Sequence, residues 1–196
     1  MSTFDVDISD TNEVMVVWQS RLSDNGSFQI FANTFQLNSV VSGGVTIDGL
    51  VIQGAELTAN TSIIADADGL GSFSYQWYSD GSAISGATST SYTLTQDDIG
   101  ASISASVSYT DGYGTEETVT STATSAVSNV NDAATGSITI SGTATEGQTL
   151  TLTSTVADAD GIDASTVSYQ WYRDGSAISG ATDTSYTLTQ DDVGAE

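Results

Sequence analysis

Residues 74–98 read SYQWYSDGSAISGATSTSYTLTQDD, and residues 168–192 read SYQWYRDGSAISGATDTSYTLTQDD. Over these 25 positions only Ser79/Arg173 and Ser89/Asp183 differ. Self-similarity at a fixed spacing is the mark of a repeat architecture, so the chain is read as repeats before anything else. The match extends upstream: Val45-Thr46-Ile47 answers Ile138-Thr139-Ile140, and Asp66-Ala67-Asp68-Gly69 answers Asp158-Ala159-Asp160-Gly161. One unit is expected at 43–132 and a second at 133–196. The second reaches Glu196 before any counterpart of residues 103–128, so it reads as truncated before its last two strands, and the chain as part of a longer array.

Within a unit the periodicity is that of strands. Phe73, Tyr75 and Trp77 alternate, as do Ile103, Ala105, Val107 and Tyr109, and Leu150 and Leu152 followed by Val156. Turn signals punctuate them at sandwich-like spacing: DADG, SDGSAISG, TQDDIG and TDGYG. Seven strands fit the first unit: A near 45–52, B 56–64, C 73–79, D and E within 83–94, F 102–110 and G 116–127. The one helical feature is a single turn at Gln96–Ile99. Residues 1–40 differ in kind and read as a partial β-hairpin repeat of a preceding domain, with strands Val14–Gln19 and Phe28–Leu37 around an SDNG turn. The fold class is therefore all-β.

These strings carry a resemblance. A Trp on strand C, an Asp-Gly turn and the corner Asp98-Ile99-Gly100 before strand F resemble an immunoglobulin-like domain, here without the inter-sheet disulfide. Tandem units of this type are similar to the cadherin-like repeats of large RTX-type bacterial surface adhesins. The stretch SNVNDAATG (128–136) resembles the NVNDAPT junction of such arrays, with Ala134 where proline is usual, and VMVVWQSRLSDNGSFQIFANTFQL resembles repeats found upstream of them. The resemblance implies tandem immunoglobulin-like Greek-key sandwiches acting as structural extender repeats, in an extracellular or cell-surface setting. Their partners would be neighbouring repeats of the same chain, with cell-surface or matrix glycans reached through other domains.

Composition narrows the function classes. With 25 acidic and two basic side chains the net charge is −23, the wrong sign for nucleic acid or for anionic lipid. No apolar run is long enough to span a bilayer, and the opening MSTFDVDISD has no secretory signal pattern. There is no His and no Cys, which excludes imidazole-based triads and His/Cys zinc sites. Low hydrophobicity with high charge is also the composition of disorder, but three Trp, eight Tyr and five Phe oppose it. The acids cluster in turns, without the cleft that paired catalytic carboxylates need, so the segment is read as non-enzymatic.

The remaining chemistry is that of hard cations. Asp158 and Asp160 follow strand B of the second unit at the end reached by the linker Asn129-Val130-Asn131-Asp132, and Glu56, Asp97 and Asp98 occupy turns at the far end of the first. Ca²⁺ takes six to eight oxygen ligands, and this set resembles the cadherin arrangement, in which a D-x-D loop and an Asn/Asp linker share calcium. Asp66 and Asp68 form the equivalent loop of the first unit, with fewer partners because Ser39–Gly44 has no acid. The alternative is that DADG is only a turn, since Asp and Gly are common turn residues. Asp111, in the F–G hairpin, either adds to the first-unit site or belongs to a solvated hairpin. An EF-hand loop and the Gly-rich nonapeptide are both absent. The functional alternatives are a glycan-binding module using exposed tyrosines, and accessory repeats of a secreted RTX-type toxin or hydrolase. Trp171, Tyr169 and Leu188 are expected to be exposed in a second unit lacking strands F and G.

Overall fold

Strand alternation decides which side chains turn inward, and the longest run, at residues 103–110, buries Ile103, Ala105, Val107 and Tyr109. The computed structural model describes residues 4–8, 13–21 and 28–196. The chain divides into two units, Met1–Val130 and Asn131–Glu196. In chain order the first contains β1 (Phe4–Ile8), β2 (Glu13–Arg21), β3 (Phe28–Gln36), β4 (Thr46–Asp48), β5 (Glu56–Asn60), β6 (Ser74–Ser79), β7 (Ser82–Ala83), β8 (Ser91–Thr93), β9 (Ile103–Thr110) and β10 (Glu116–Thr120). All of its named strand pairings are antiparallel.

Residues 45–127 form a sandwich of two sheets, β4–β5–β8 and β10–β9–β6–β7. The short strand β7 pairs with β6, so the sheets divide as three strands and four. Trp77 of β6 is 0 % exposed. It packs with Leu57, Leu94, Ile103 and Val107, and its indole N–H donates to the Ser89 carbonyl at 2.9 Å. Without a disulfide, the two sheets are held mainly by this aliphatic and aromatic packing, with a backbone bridge between Ile52 and Ser128. Asp80 and Gly81 make the two-residue loop between β6 and β7, with φ of 45° and 79°. Both values suit the primed turns that match strand twist, and Asp and Gly are the residues that tolerate them. The expected helical turn is a 3-10 turn at Gln96–Asp98.

Ahead of the sandwich, β1, β2 and β3 form a three-stranded sheet. The sequence suggested two of these strands, and β1 adds a third by pairing with β2 from Phe4↔Trp18 to Ile8↔Val14. A lone hairpin is marginal in water, and a third strand is the usual remedy. Trp18 and Phe31 are directly cross-strand and stack with ring centroids 5.6 Å apart. The expected SDNG turn lies outside the described residues.

The second unit contains β11 (Ile138–Ser141), β12 (Thr149–Ser154), β13 (Tyr172–Arg173), β14 (Ser176–Ala177) and β15 (Ser185–Thr187). Sheet β11–β12–β15 repeats β4–β5–β8, down to the pair Leu150↔Tyr186 in place of Leu57↔Tyr92. The hairpin β13–β14 repeats the end of β6 with β7. Between them lies an open groove of about 650 Å³, lined by Leu150, Trp171, Tyr186 and Leu188 among others. Tyr169 and Leu188 are half-buried, as an open core would leave them. Trp171 departs from the expectation of exposure. It is 7 % exposed, because its indole N–H donates to the Asp183 carbonyl and its ring packs against Tyr186 at 5.7 Å.

Candidate metal centre

Two loops of the first unit meet at one end of its sandwich. The first is Asp66-Ala67-Asp68-Gly69, closed as a turn by the Asp68 N–H donating to Asp66 Oδ1 at 2.9 Å and the Gly69 N–H to the Asp66 carbonyl. The second is the hairpin Asp111–Thr115 between β9 and β10. Its Asp111 Oδ1 accepts the N–H groups of Tyr113 and Thr115, both at 2.8 Å. The Gly112 N–H donates to the Asp68 carbonyl at 2.9 Å and joins the loops. A Cβ at Gly112 would sit 2.3 Å from that same carbonyl oxygen, so glycine is a steric requirement there.

This meeting brings Asp66, Asp111 and Glu117 together, with one carboxylate oxygen of each within 4.8 Å of the others. Among the described residues no other group of three acids is so placed. Asp111 is buried, at 7 % exposure, and its Oδ2 has no hydrogen-bond partner. A buried anionic oxygen left without a donor is costly unless a cation balances it. The one ion pair among the described residues, Arg173–Asp192, lies in the second unit. Desolvation works to raise the Asp111 pKa. The N–H groups of Thr115 and Tyr113, aided by the Thr115 hydroxyl and the Gly114 N–H, outweigh it and hold the carboxyl below its ordinary 3.8. The side chain is thus buried and ionised together.

Tyr109 ties the centre to the core. Its ring meets Phe73 edge-on at 5.6 Å, and its hydroxyl donates to Asp66 Oδ2 at 2.7 Å. Burial, then the bond to Asp66, pushes the phenol pKa well above its ordinary 10.0, so it stays a donor at any ordinary pH. Glu117 arrives by register, since it lies directly across from Tyr109 in the β9–β10 ladder.

The residues singled out from sequence fall into separate places. Asp66 belongs to the triad, whereas both oxygens of Asp68 accept from Ser39, one from its N–H and the other from its hydroxyl. Asp111 is buried, so the hairpin is not simply solvated. Glu117 was not singled out; it reaches the site through the register of β9 against β10, opposite Tyr109. Asp98 is buried, and its Oδ2 accepts from Tyr92 and from the Thr95 N–H and hydroxyl, so it closes the 3-10 turn. Asp97 is exposed, and exposed Glu56 accepts from the Ser91 hydroxyl. Asn129 lies in the first unit, exposed. Asn131, Asp132, Asp158 and Asp160 lie in the second. There Asp158 and Asp160 repeat the turn of Asp66 and Asp68, and Asp160 Oδ2 accepts from the Asp132 N–H at 2.7 Å.

No protein-family model matches the chain, and no curated protein sequence matches it. The site is therefore characterised by its donor set. Three carboxylates, in a chain without His or Cys, suit a hard cation bound through oxygen.

Proposed function

We propose that the chain is a stretch of structural extender repeats from a secreted or surface-anchored bacterial protein, and that Ca²⁺ braces the D-x-D end of its sandwich. The observation that carries the calcium reading is the buried, unpartnered Asp111 Oδ2 within the Asp66–Asp111–Glu117 triad. Near-identity of two units over 25 residues supports the extender reading, since a spacer is lengthened by copying a unit. A cation held by Asp66, Asp111 and Glu117 would supply positive charge where no ion pair of the described residues does. It would also cross-link the loop after β5 to the hairpin between β9 and β10. The high negative charge of the rest of the surface keeps similar repeats soluble and apart.

Thermal melts of the chain in calcium and in EDTA test this, beside Asp111→Asn. At calcium about 100-fold above Kd, one site adds about 2.7 kcal/mol to the stability of the first unit. That corresponds to a rise in Tm on the order of 10 °C for a domain of this size. Asp111→Asn should abolish the rise. Identical melts of the unaltered chain in calcium and in EDTA would overturn the calcium reading.

A further inference from the structure

The segment entering the sandwich from β3 makes its first contacts through polar bonds. Val40 is 83 % exposed, and apolar packing on the core begins only at Val41, after the polar contacts of Asn38 and Ser39. Asn38 Nδ2 donates to Glu117 Oε1 at 2.8 Å. The Ser39 N–H and hydroxyl donate to the two oxygens of Asp68. Only at Ser42, which exchanges backbone bonds with Ala65, does the segment join the fold by a β-bridge. The acceptors that hold Asn38 and Ser39 thus belong to, or adjoin, the acidic centre: Glu117 is in the triad, and Asp68 is locked to Asp66 through its own N–H. The second unit repeats the latch, with the Asp132 N–H on Asp160 and the Asp160 N–H on Asp158.

We propose that cation binding at Asp66, Asp111 and Glu117 and the seating of Asn38–Ser39 are coupled, so that calcium fastens the segment entering the sandwich without taking any ligand from it. The inference rests on the calcium reading above. Its physical basis is preorganisation. A cation that fixes Asp66 and Glu117 in one arrangement also fixes Asp68, through the D-x-D turn, and the Glu117 oxygen that Asn38 addresses. The donors of the segment then meet acceptors already in place. Each carboxylate of the loop has its own task, Asp66 towards the cation and Asp68 towards the chain. Coupling of this kind is reciprocal: whatever factor calcium adds to the seating, the seating adds to calcium affinity.

Reciprocity sets the test, made on the whole chain with calcium chloride as the probe. Amide exchange at Ser39 should slow by about 5-fold or more on saturation with calcium, within the usual range of coupling between sites. Titration calorimetry of Asn38→Ala/Ser39→Ala should show calcium affinity weakened by a similar factor, with the melting profile in EDTA confirming that the variant folds. Calcium binding of equal strength to both proteins, with Ser39 exchange unchanged, would overturn the coupling and leave the calcium site standing. An unaltered chain that takes up no calcium would overturn the site and the coupling together.

Discussion

Asp111 and Asp192 are carboxylates whose surroundings hold them ionised well into acid. For Asp192 the Thr189 N–H is the largest influence. Desolvation opposes it, and the Thr189 hydroxyl, Arg173 and Tyr186 assist, leaving its pKa far below 3.8. A carboxyl with a lower pKa folded than unfolded binds fewer protons in the native state. Its contribution is therefore fully present above the unfolded value and is lost as pH falls towards the folded one. Stability should be level from neutral pH down to about 4, then fall as pH drops below the ordinary 3.8. Denaturant melts at a series of pH values check this, and Asp192→Asn should make the fall in the second unit shallower. A stability that rose below pH 4 would mean that relief of carboxylate repulsion outweighs these bonds. The Ser79/Arg173 difference between the repeats falls on the same residue. Arg173 pairs with Asp192 at 2.6 Å, whereas in the first unit Asp98 is satisfied by Tyr92 and Thr95 alone. The other difference, Ser89/Asp183, is silent for the tryptophan, because the indole is met by the backbone carbonyl of either residue.

At the scale of elements, the close approach of the D-x-D loop to the β9–β10 hairpin depends on two glycines. A Cβ at Gly112 would lie 2.3 Å from the Asp68 carbonyl oxygen, and one at Gly71 would lie 2.1 Å from that of Thr110. In both cases the obstacle is backbone, which cannot step aside as a flexible side chain could. Gly112→Ala should therefore destabilise the first unit by about 1–3 kcal/mol. It should also reduce the calcium-dependent rise in Tm, since the loops that carry Asp66 and Asp111 are forced apart. Melts with and without calcium measure both effects, and a variant that melts like the parent in each would refute the account of the contact. The D-x-D turn and the hairpin were both legible from Asp and Gly spacing. Their convergence with Glu117 was not, because it depends on the register of β9 against β10 and on a chain separation of more than 40 residues between Asp66 and Asp111.

Across the whole molecule, one sequence appears in two states. Ser74–Tyr78 and Ser168–Tyr172 are identical, yet the first is strand throughout and in the second only Tyr172 is. β6 pairs with β9 from Ser74↔Ser108 to Ser79↔Ile103, whereas among the described residues of the second unit no strand takes that place beside residues 168–173. The apolar residues follow suit. Leu94 is fully buried and its counterpart Leu188 half-buried, and Val193 is 61 % exposed where Ile99 is half-buried. Amide exchange should accordingly be much slower over residues 74–79 than over 168–173 in this chain. Equal protection of the two stretches would contradict that reading.

The repeat, its turns and its inward-facing residues were all readable along the chain, because alternation and Asp-Gly turns are local properties of backbone and side chain. The division of strands between two sheets was not, because alternation marks an inward face without saying which strands will pair. Three further features waited for the tertiary structure: the burial of Asp111, the arrival of Glu117 beside it, and the seating of Ser39 on Asp68. The first and third depend on segments far apart in sequence and on how closely two loop backbones approach, and the second on the register within one hairpin. A linear pattern names the carboxylates but does not say which of them will share a site.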